Sequence, residues 1–400
     1  MRRGVAWGVA VAIVALSVWL VRDHTRDDAL SADEPIHILS GYFAVASRSA
    51  IVNIEHPPLM KVLSGLALAA LPLSAAPARV PMGNPFTTYG PAFFYANTVR
   101  PDAIIAAARA PFLAVWACLL ALVFWAARGR YGSPGAIFAL ALCAFDPNLV
   151  AHAGIVHTDL GAALAFFATV LAWDAARRRG SVAFLALAAV CLGLALATKF
   201  SAVYLVPILL IQALLAARRA PGVARIRTDL LRLAAVGIGA LVVVFAVYLP
   251  VTARMDPGDQ KAVIREKVGR VGEAPALAER IVSLAAVSPA LAHYVGGLAS
   301  VARQNSVGGG VTFLNGKIST AGFPQYFLVA FAVKSSLAFL AVTAAILWAT
   351  LRRSGGFSEE LRLFLVPVVV LFVASIGTTY NIGIRHLLPI YPFLALLGAA

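Results

Sequence analysis

The sequence predicts an all-α polytopic membrane protein. Three observations carry that prediction: 61% of the 400 residues are hydrophobic and only 13% charged, the mean hydropathy is +0.86, and apolar runs of spanning length recur along the chain. One water-soluble core of this size could not hide so much apolar surface. The formal net charge of +15 is no evidence for nucleic acid, because the cytoplasmic loops of membrane proteins collect Lys and Arg. Cys118, Cys143 and Cys191 lie inside apolar runs and read as small buried hydrophobes, not as a disulfide or zinc set.

Ten runs predict about ten membrane helices, at 4–21, 103–126, 134–151, 160–176, 182–198, 200–217, 232–250, 326–350, 361–378 and 386–400. The first has the basic start of a signal peptide. Its apolar stretch is long for one, however, and no clear small-x-small site precedes "RDHTRDD", so it reads as the first membrane helix. With a cytoplasmic N-terminus, the inside loops hold Arg2, Arg3, Arg128, Arg130, Arg177 to Arg179, and the basic segments 218–232 and 352–362, whereas the short outside turns hold only Lys199 and Arg385. Two long outer segments remain, 22–102 and 251–325, with amphipathic stretches such as "DQKAVIREKVGRV" that suit the interface. Residues 1–400 read as one module, and the last run, still apolar at Ala400, predicts that the native chain continues.

This arrangement puts the unusual polar residues at one end of the spans: Asp33, Glu34, His37, Glu55, His56, Lys61, Asp146, His152, His157, Asp159, Lys199, Arg385 and His386. A pore or proton path spreads ionisable groups over several depths. Clustering at one interface points instead to chemistry on something presented there.

In "SADEPIHILSGYF", Pro35 suits the first helical position, which makes Asp33 and Glu34 cap or near-cap residues with His37 a turn on and on the same face. Capping needs one acceptor and explains one carboxylate, not two. A carboxylate beside apolar lipid gains proton affinity, as suits a general base for a hydroxyl. In "NIEHPPLMK", Pro57 or Pro58 opens a helix whose free N–H groups form an anion site, with Lys61 adding a full charge. Glu55 is a candidate metal ligand there and His56 a candidate phosphate contact. The bland alternative is a capped helix with a snorkelling lysine.

In "FDPNLVAHAGIVHTDLGAAL", Asp159 sits where an N-cap belongs, and the two histidines are weak signals individually. "TTYNIGIRHLLPIYPF" puts Arg385 and His386 at the mouth of the last helix, where an arginine fork suits phosphate. Arg109, inside the second helix, needs a partner in hydrocarbon, and the outer carboxylates are the obvious ones. No GxxxxGK[ST] or GxGxxG loop is present, so no nucleotide cofactor is expected, and an activated substrate would have to reside in the bilayer.

Taken together and in order, "DEPIH", "EHPPLMK", the Asp159 loop, "GGGVTFLNGKISTAGFPQYFLVAFAVKSSL" and "NIGIRHLLPIYPF" resemble the bacterial glycosyltransferases of family 39. These are relatives of the protein O-mannosyltransferases and aminoarabinose transferases, with the GT-C fold. The resemblance implies an inverting transfer of a sugar from a polyprenyl-phosphate donor to a hydroxyl of a protein or glycolipid acceptor, at the outer face of a bacterial cytoplasmic membrane. It implies that Asp33, with Glu34 beside it, is the catalytic acid pair, that Glu55 serves a divalent metal or the donor, and that His56, Lys61, Arg385 and His386 bind the donor phosphate. His37, Arg109, His157 and Asp159 complete the expected site. A lipid-linked sugar flippase is the competing reading and predicts midplane charges and internal repeats, neither of which is evident. A metal-dependent hydrolase using His37, Glu55 and His56 lacks HExxH spacing.

Overall fold

A computed structural model describes residues 3–74, 76, 80, 89–217, 223–270, 273–308, 310–352 and 358–400. Of the basic loop residues above, Arg2, Arg218, Arg219 and Arg353 lie outside these.

All ten predicted apolar runs fall on helical segments. The first is α1 (Arg3–Arg26), and the next two are merged in α5 (Pro101–Ala144), which kinks at Gly132, φ +70°, ahead of Pro134. Then follow α7 (Asp159–Arg179), α8 (Val182–Thr198), a 3₁₀ turn at Phe200–Tyr204 leading into α9 (Leu205–Ala217), and α10 (Val223–Thr252). The C-terminal part comprises α14 (Tyr326–Lys334), α15 (Leu337–Leu351), α16 (Glu359–Ile376) and a 3₁₀ segment, Ile384–Ile390, that continues into α17 (Tyr391–Gly398).

Among the described residues, five helices are by themselves long and apolar enough to cross a membrane: Gly4–Arg26, Pro101–Ala144, Asp159–Arg179, Phe200–Ala217 and Ile226–Thr252. The other predicted runs are helical too, but shorter or broken. Two of the breaks repair one another. The 134–151 run stops before α6 (Pro147–Ala153), where Asp146 caps the backbone N–H groups of Asn148 and Leu149, and the 326–350 run stops at Ser335 and Ser336. Ser336 Oγ donates to Asp146 Oδ2 at 2.9 Å, and Asn148 Nδ2 donates to the Lys334 carbonyl at 2.8 Å. Backbone groups freed at apolar depth must find such partners.

The first outer segment contains α2 (Glu34–Ala46), α3 (Leu59–Leu68) and α4 (Gly90–Tyr95). The second contains α11 (Pro257–Ile264), a π-helical turn at Arg265–Arg270, α12 (Pro275–Leu284) and α13 (Pro289–Val307). Its end adds a small hairpin to the helical fold: β1 (Thr312–Leu314) and β2 (Lys317–Ser319) pair antiparallel about Asn315 and Gly316, both at positive φ, the turn that Asn-Gly favours.

An apolar cluster of Ile38, Phe43, Ile54, Phe112, Ile264 and Ile281 joins both outer segments to α5, so the two loops and the bundle share one packed region. Helices α2 and α3 cross at glycines: a Cβ on Gly41 would overlap the Lys61 carbonyl, and one on Gly65 the Gly41 carbonyl. Gly65→Ala is expected to cost at least about 1–3 kcal/mol by overpacking, whereas Gly237→Ala, where nothing lies within 4 Å, should be neutral or mildly stabilising. Melting temperatures of the two variants in detergent check this contrast.

Candidate functional site

A cavity of about 880 Å³ opens where the two outer segments meet the ends of the helices. Its lining includes the polar residues Asp33, Glu55, His56, His157, Asp159, Lys199, Arg385 and His386 and the apolar residues Phe166, Val203, Leu298 and Leu371, with Tyr204. The other end of α7 carries Arg177, Arg178 and Arg179; Arg178 and Arg179 border a separate cavity with Arg128 and Arg130. At 1.5 Å per residue, the 21 residues of α7 put about 30 Å between these two polar ends.

The adjacent carboxylates divide their work. Glu34 is fully buried and accepts both arms of the Arg109 guanidinium at 2.7 Å, and it also accepts the backbone N–H groups of Ser31 and Val156. The remaining donors of Arg109 meet the carbonyls of Thr25, Asp28 and Ala29. Both groups are spent on holding α1, α2, α5 and the 154–158 loop together. Asp33 is the N-cap residue of α2, yet its side chain makes no capping bond and is 42% exposed to the cavity. Capping therefore does not account for it.

Arg385 Nη1 bridges Asp33 Oδ2 at 2.6 Å and His157 Nε2 at 2.9 Å. His157 Nδ1 lies 2.6 Å from Asp159 Oδ2, and Lys199 pairs with the other oxygen, Asp159 Oδ1. Asp159 occupies the first turn of α7, where the helix dipole favours its charge. Lys199, Asp159, His157, Arg385 and Asp33 thus form one continuous chain of contacts.

The expectation that apolar surroundings raise the proton affinity of Asp33 is reversed here. The His157 imidazole and the Arg385 guanidinium hold its carboxyl well below the usual carboxylate range, outweighing partial burial. For His157, burial acts to lower the pKa, but the charge and hydrogen bond of Asp159, with Asp33 behind them, more than offset it and leave the pKa raised.

Other predicted residues stand behind the cavity wall or are engaged. Lys61 is 2% exposed and donates to the carbonyls of Asn53 and His56 at 2.8 and 2.7 Å; burial pushes its amine down to about 7, with Glu55 opposing. It shapes the loop that carries His56. His37 sits edge-on to His56 and His157, at 4.8 and 5.6 Å between ring centroids, and burial pushes its pKa well below the ordinary value. Burial likewise takes His56 down to about 3. His386 stacks on Phe327 at 5.8 Å.

Glu55 ion-pairs with Lys267 at 2.8 Å, so a donor from the second outer segment occupies the carboxylate expected to bind metal. Among the described residues no three His, Cys, Asp or Glu side chains are placed to hold a metal ion. The residues around Glu55 do not fit one, and no step below uses it. Sequence reasoning did not give Lys199 and Lys267 site roles. The signal for Lys199 was present, a lone cation in an apolar turn. That for Lys267 was hidden in an amphipathic repeat 212 residues away from its partner Glu55.

Residues 101–253 match the family model of dolichyl-phosphate-mannose-protein mannosyltransferase, a segment that holds Arg109, His157, Asp159 and Lys199 but not Asp33 or Arg385. No curated protein matches the chain by sequence. Among solved structures, ArnT from Cupriavidus metallidurans bound to undecaprenyl phosphate superposes with a TM-score of 0.59 at 16% identity, over 100% of this chain and 60% of its own. The Archaeoglobus fulgidus oligosaccharyltransferase in the apo form gives 0.56 at 13%, over 97% and 50%. The archaeal oligosaccharyltransferase AglB from Archaeoglobus fulgidus, with an inhibitory peptide and a dolichol-phosphate, gives 0.51 at 12%, again over 97% and 50%. The chain thus spans between half and about 60% of the length of these relatives.

The roles of Glu34 and Asp33 separate experimentally. Glu34→Gln leaves a buried guanidinium unpaired, and breaking such a pair costs about 3–5 kcal/mol, so the variant should melt markedly lower. Asp33→Asn should melt within a few degrees of wild type, as thermal unfolding of both in detergent would reveal. The fold and the apolar helices make this chain a polytopic membrane protein of the GT-C fold, in which residues 101–253 match the model of the dolichyl-phosphate-mannose-protein mannosyltransferases.

Proposed function

We propose that the protein is an inverting glycosyltransferase that moves a sugar from a polyprenyl-phosphate donor to a hydroxyl of a protein, glycolipid or envelope-polymer acceptor. The observation that carries this reading is the pairing of a part-exposed carboxylate with an arginine in a cavity lined by both polar and apolar side chains: Asp33 and Arg385, 2.6 Å apart. Such a cavity suits a ligand that is half lipid and half polar. Among the described residues Arg385 Nε and Nη2 have no partner, so they are available for a fork on a phosphate oxyanion.

In a single displacement, the acceptor oxygen attacks the anomeric carbon as the bond to the phosphate oxygen breaks. The phosphate leaves as an anion that needs cationic stabilisation and no acid. Asp33 is the base that takes the hydroxyl proton, Arg385 steadies the leaving phosphate, and His56 and His386 border the same space. Glu34, Arg109 and Lys61 act as scaffold. A flippase would be favoured by charges at middle depth, whereas the ionisable cluster here gathers at one end of α7.

The arginine-rich opposite end suits the cytoplasmic side of a bacterial inner membrane, which would give this cavity the outer face. The likeness to ArnT bound to undecaprenyl phosphate and to AglB with a dolichol-phosphate supports a polyprenyl-phosphate ligand.

Incubating wild type and Asp33→Asn with a panel of polyprenyl-phosphate sugars and envelope acceptors, and following polyprenyl-phosphate release by mass spectrometry, tests the proposal. Turnover in wild type and a loss of about 10²–10⁴ in the variant, with donor binding kept, is expected. Equal turnover in both would remove Asp33 from the chemistry.

A further inference from the structure

Asp33 poses a difficulty as the final resting place of the acceptor's proton. A carboxylate paired with Arg385 at 2.6 Å is a weak base, and its conjugate acid would sit against a guanidinium. The proton needs somewhere better to go, and His157 lies behind it with Nε2 3.8 Å from Asp33 Oδ2.

The tautomer of His157 follows from its neighbours. Nδ1 lies 2.6 Å from Asp159 Oδ2, a buried oxygen to which nothing else donates a hydrogen bond and which does not yet meet Nδ1 in hydrogen-bond geometry, and two unprotonated acceptors would repel at that distance. Nδ1 therefore carries the hydrogen, and the Asp159 amide, 3.2 Å from the same nitrogen, is no donor to it. Nε2 is left with its lone pair, which accepts from Arg385 Nη1 at 2.9 Å. This is a base oriented by a carboxylate, with Lys199 fixing that carboxylate in turn.

We propose that His157 is the terminal proton acceptor of the reaction and that its protonation releases Arg385 toward the leaving phosphate. The inference rests on the transferase reading above. The acceptor's O–H proton passes by way of Asp33 Oδ2 to His157 Nε2, the acceptor oxygen bonds to the anomeric carbon, and the electron pair of the breaking C–O bond stays on the phosphate. Once Nε2 bears a hydrogen, two donors face each other at 2.9 Å. Arg385 must give way, which lets Asp33 Oδ2, 3.8 Å from Nε2, close to hydrogen-bond distance and accept from the imidazolium instead. Proton arrival and phosphate stabilisation thus become one event.

The surroundings favour a proton on His157 over the other imidazoles. Two carboxylates, Asp33 and Asp159, face it against one guanidinium, with Lys199 beyond Asp159. The rings of His37 and His152 stand 5.6 and 6.4 Å away, and His37 and His56 are both held neutral by burial. His386 is a cavity neighbour that feels the charge of His157. In agreement with the geometry, His157 holds a proton more tightly than an ordinary histidine, while Asp33 holds one less tightly than an ordinary carboxylate.

The test is the pH profile of kcat with a donor that turns over, in wild type, His157→Gln and Asp159→Asn. Only neutral His157 accepts, so wild-type kcat should rise with pH through a pKa above that of a free histidine and then level off. His157→Gln should lose about 10²–10⁴ in kcat with little change in KM, and the acid limb should vanish. Asp159→Asn removes the charge that raises the His157 pKa, so its limb should move to lower pH, a graded shift that lost packing alone would not give. An acid limb unchanged in His157→Gln overturns the inference while leaving the transferase reading standing.

If no donor turns over, that reading fails, and undecaprenyl phosphate binding in nanodiscs still decides the second half. Between about pH 8 and pH 6, a span across the ordinary histidine pKa, the affinity ratio of wild type to His157→Gln should grow as pH falls, because protonated His157 frees Arg385. The phosphate's own titration cancels in the ratio. Parallel pH dependences would refute the coupling.

Discussion

A guanidinium buried among membrane helices must have its donors satisfied at once, since no water is at hand to complete the set. Arg109 meets that constraint with both oxygens of Glu34 and the carbonyls of Thr25, Asp28 and Ala29. Its partners lie more than 70 residues away, at the end of α1 and the start of α2. Glu34 passes the constraint on to the Val156 amide, one residue before His157. The position of Asp33, next to Glu34, and that of His157 are both consequences of one buried ion pair. A charge in the interior is a poor source of stability, but it gives a unique arrangement, because any slip of α1 against α5 would leave it unpaired.

From that anchor the site follows by short steps. Neighbouring residues on a helix start point in different directions, so fixing Glu34 inward turns Asp33 toward the cavity. The loop that ends at α7 brings His157 and Asp159 to the same place, and the 3₁₀ segment from Ile384 brings Arg385 across from the far end of the chain. Lys199, at the turn between α8 and the 3₁₀ segment Phe200–Tyr204, completes the chain by pairing with Asp159. Three anionic or basic acceptors and two cations then line one cavity together with apolar side chains.

Much of this was legible in the sequence, for physical reasons. Apolar runs mark helices because the bilayer imposes their composition, and a lone Arg109 in such a run announces that a carboxylate must meet it. The clustering of polar residues at one end followed from topology alone. What could not be read was the division of labour within pairs. "DE" does not say which carboxylate turns inward, and "EHPPLMK" does not say that Lys61 will bond backward to Asn53 and His56 while Glu55 turns to Lys267. The proton affinity of Asp33 was misjudged in sign because it depends on Arg385, 352 residues away, and not on the local apolar context. Helix breaks at Asp146 and Ser335 were likewise invisible to hydropathy, since each is tolerated only because the other supplies its partners.

On the proposed function, a lipid phosphate docks against Arg385 beside Asp33, with its chain against apolar residues of the same cavity such as Val203 and Leu371. A structure of the protein in nanodiscs with undecaprenyl phosphate measures this directly. The account predicts phosphate density within hydrogen-bond distance of Arg385 and the first prenyl units against those apolar residues. Phosphate density outside this cavity, with the bridge from Arg385 to Asp33 and His157 unchanged, would contradict it.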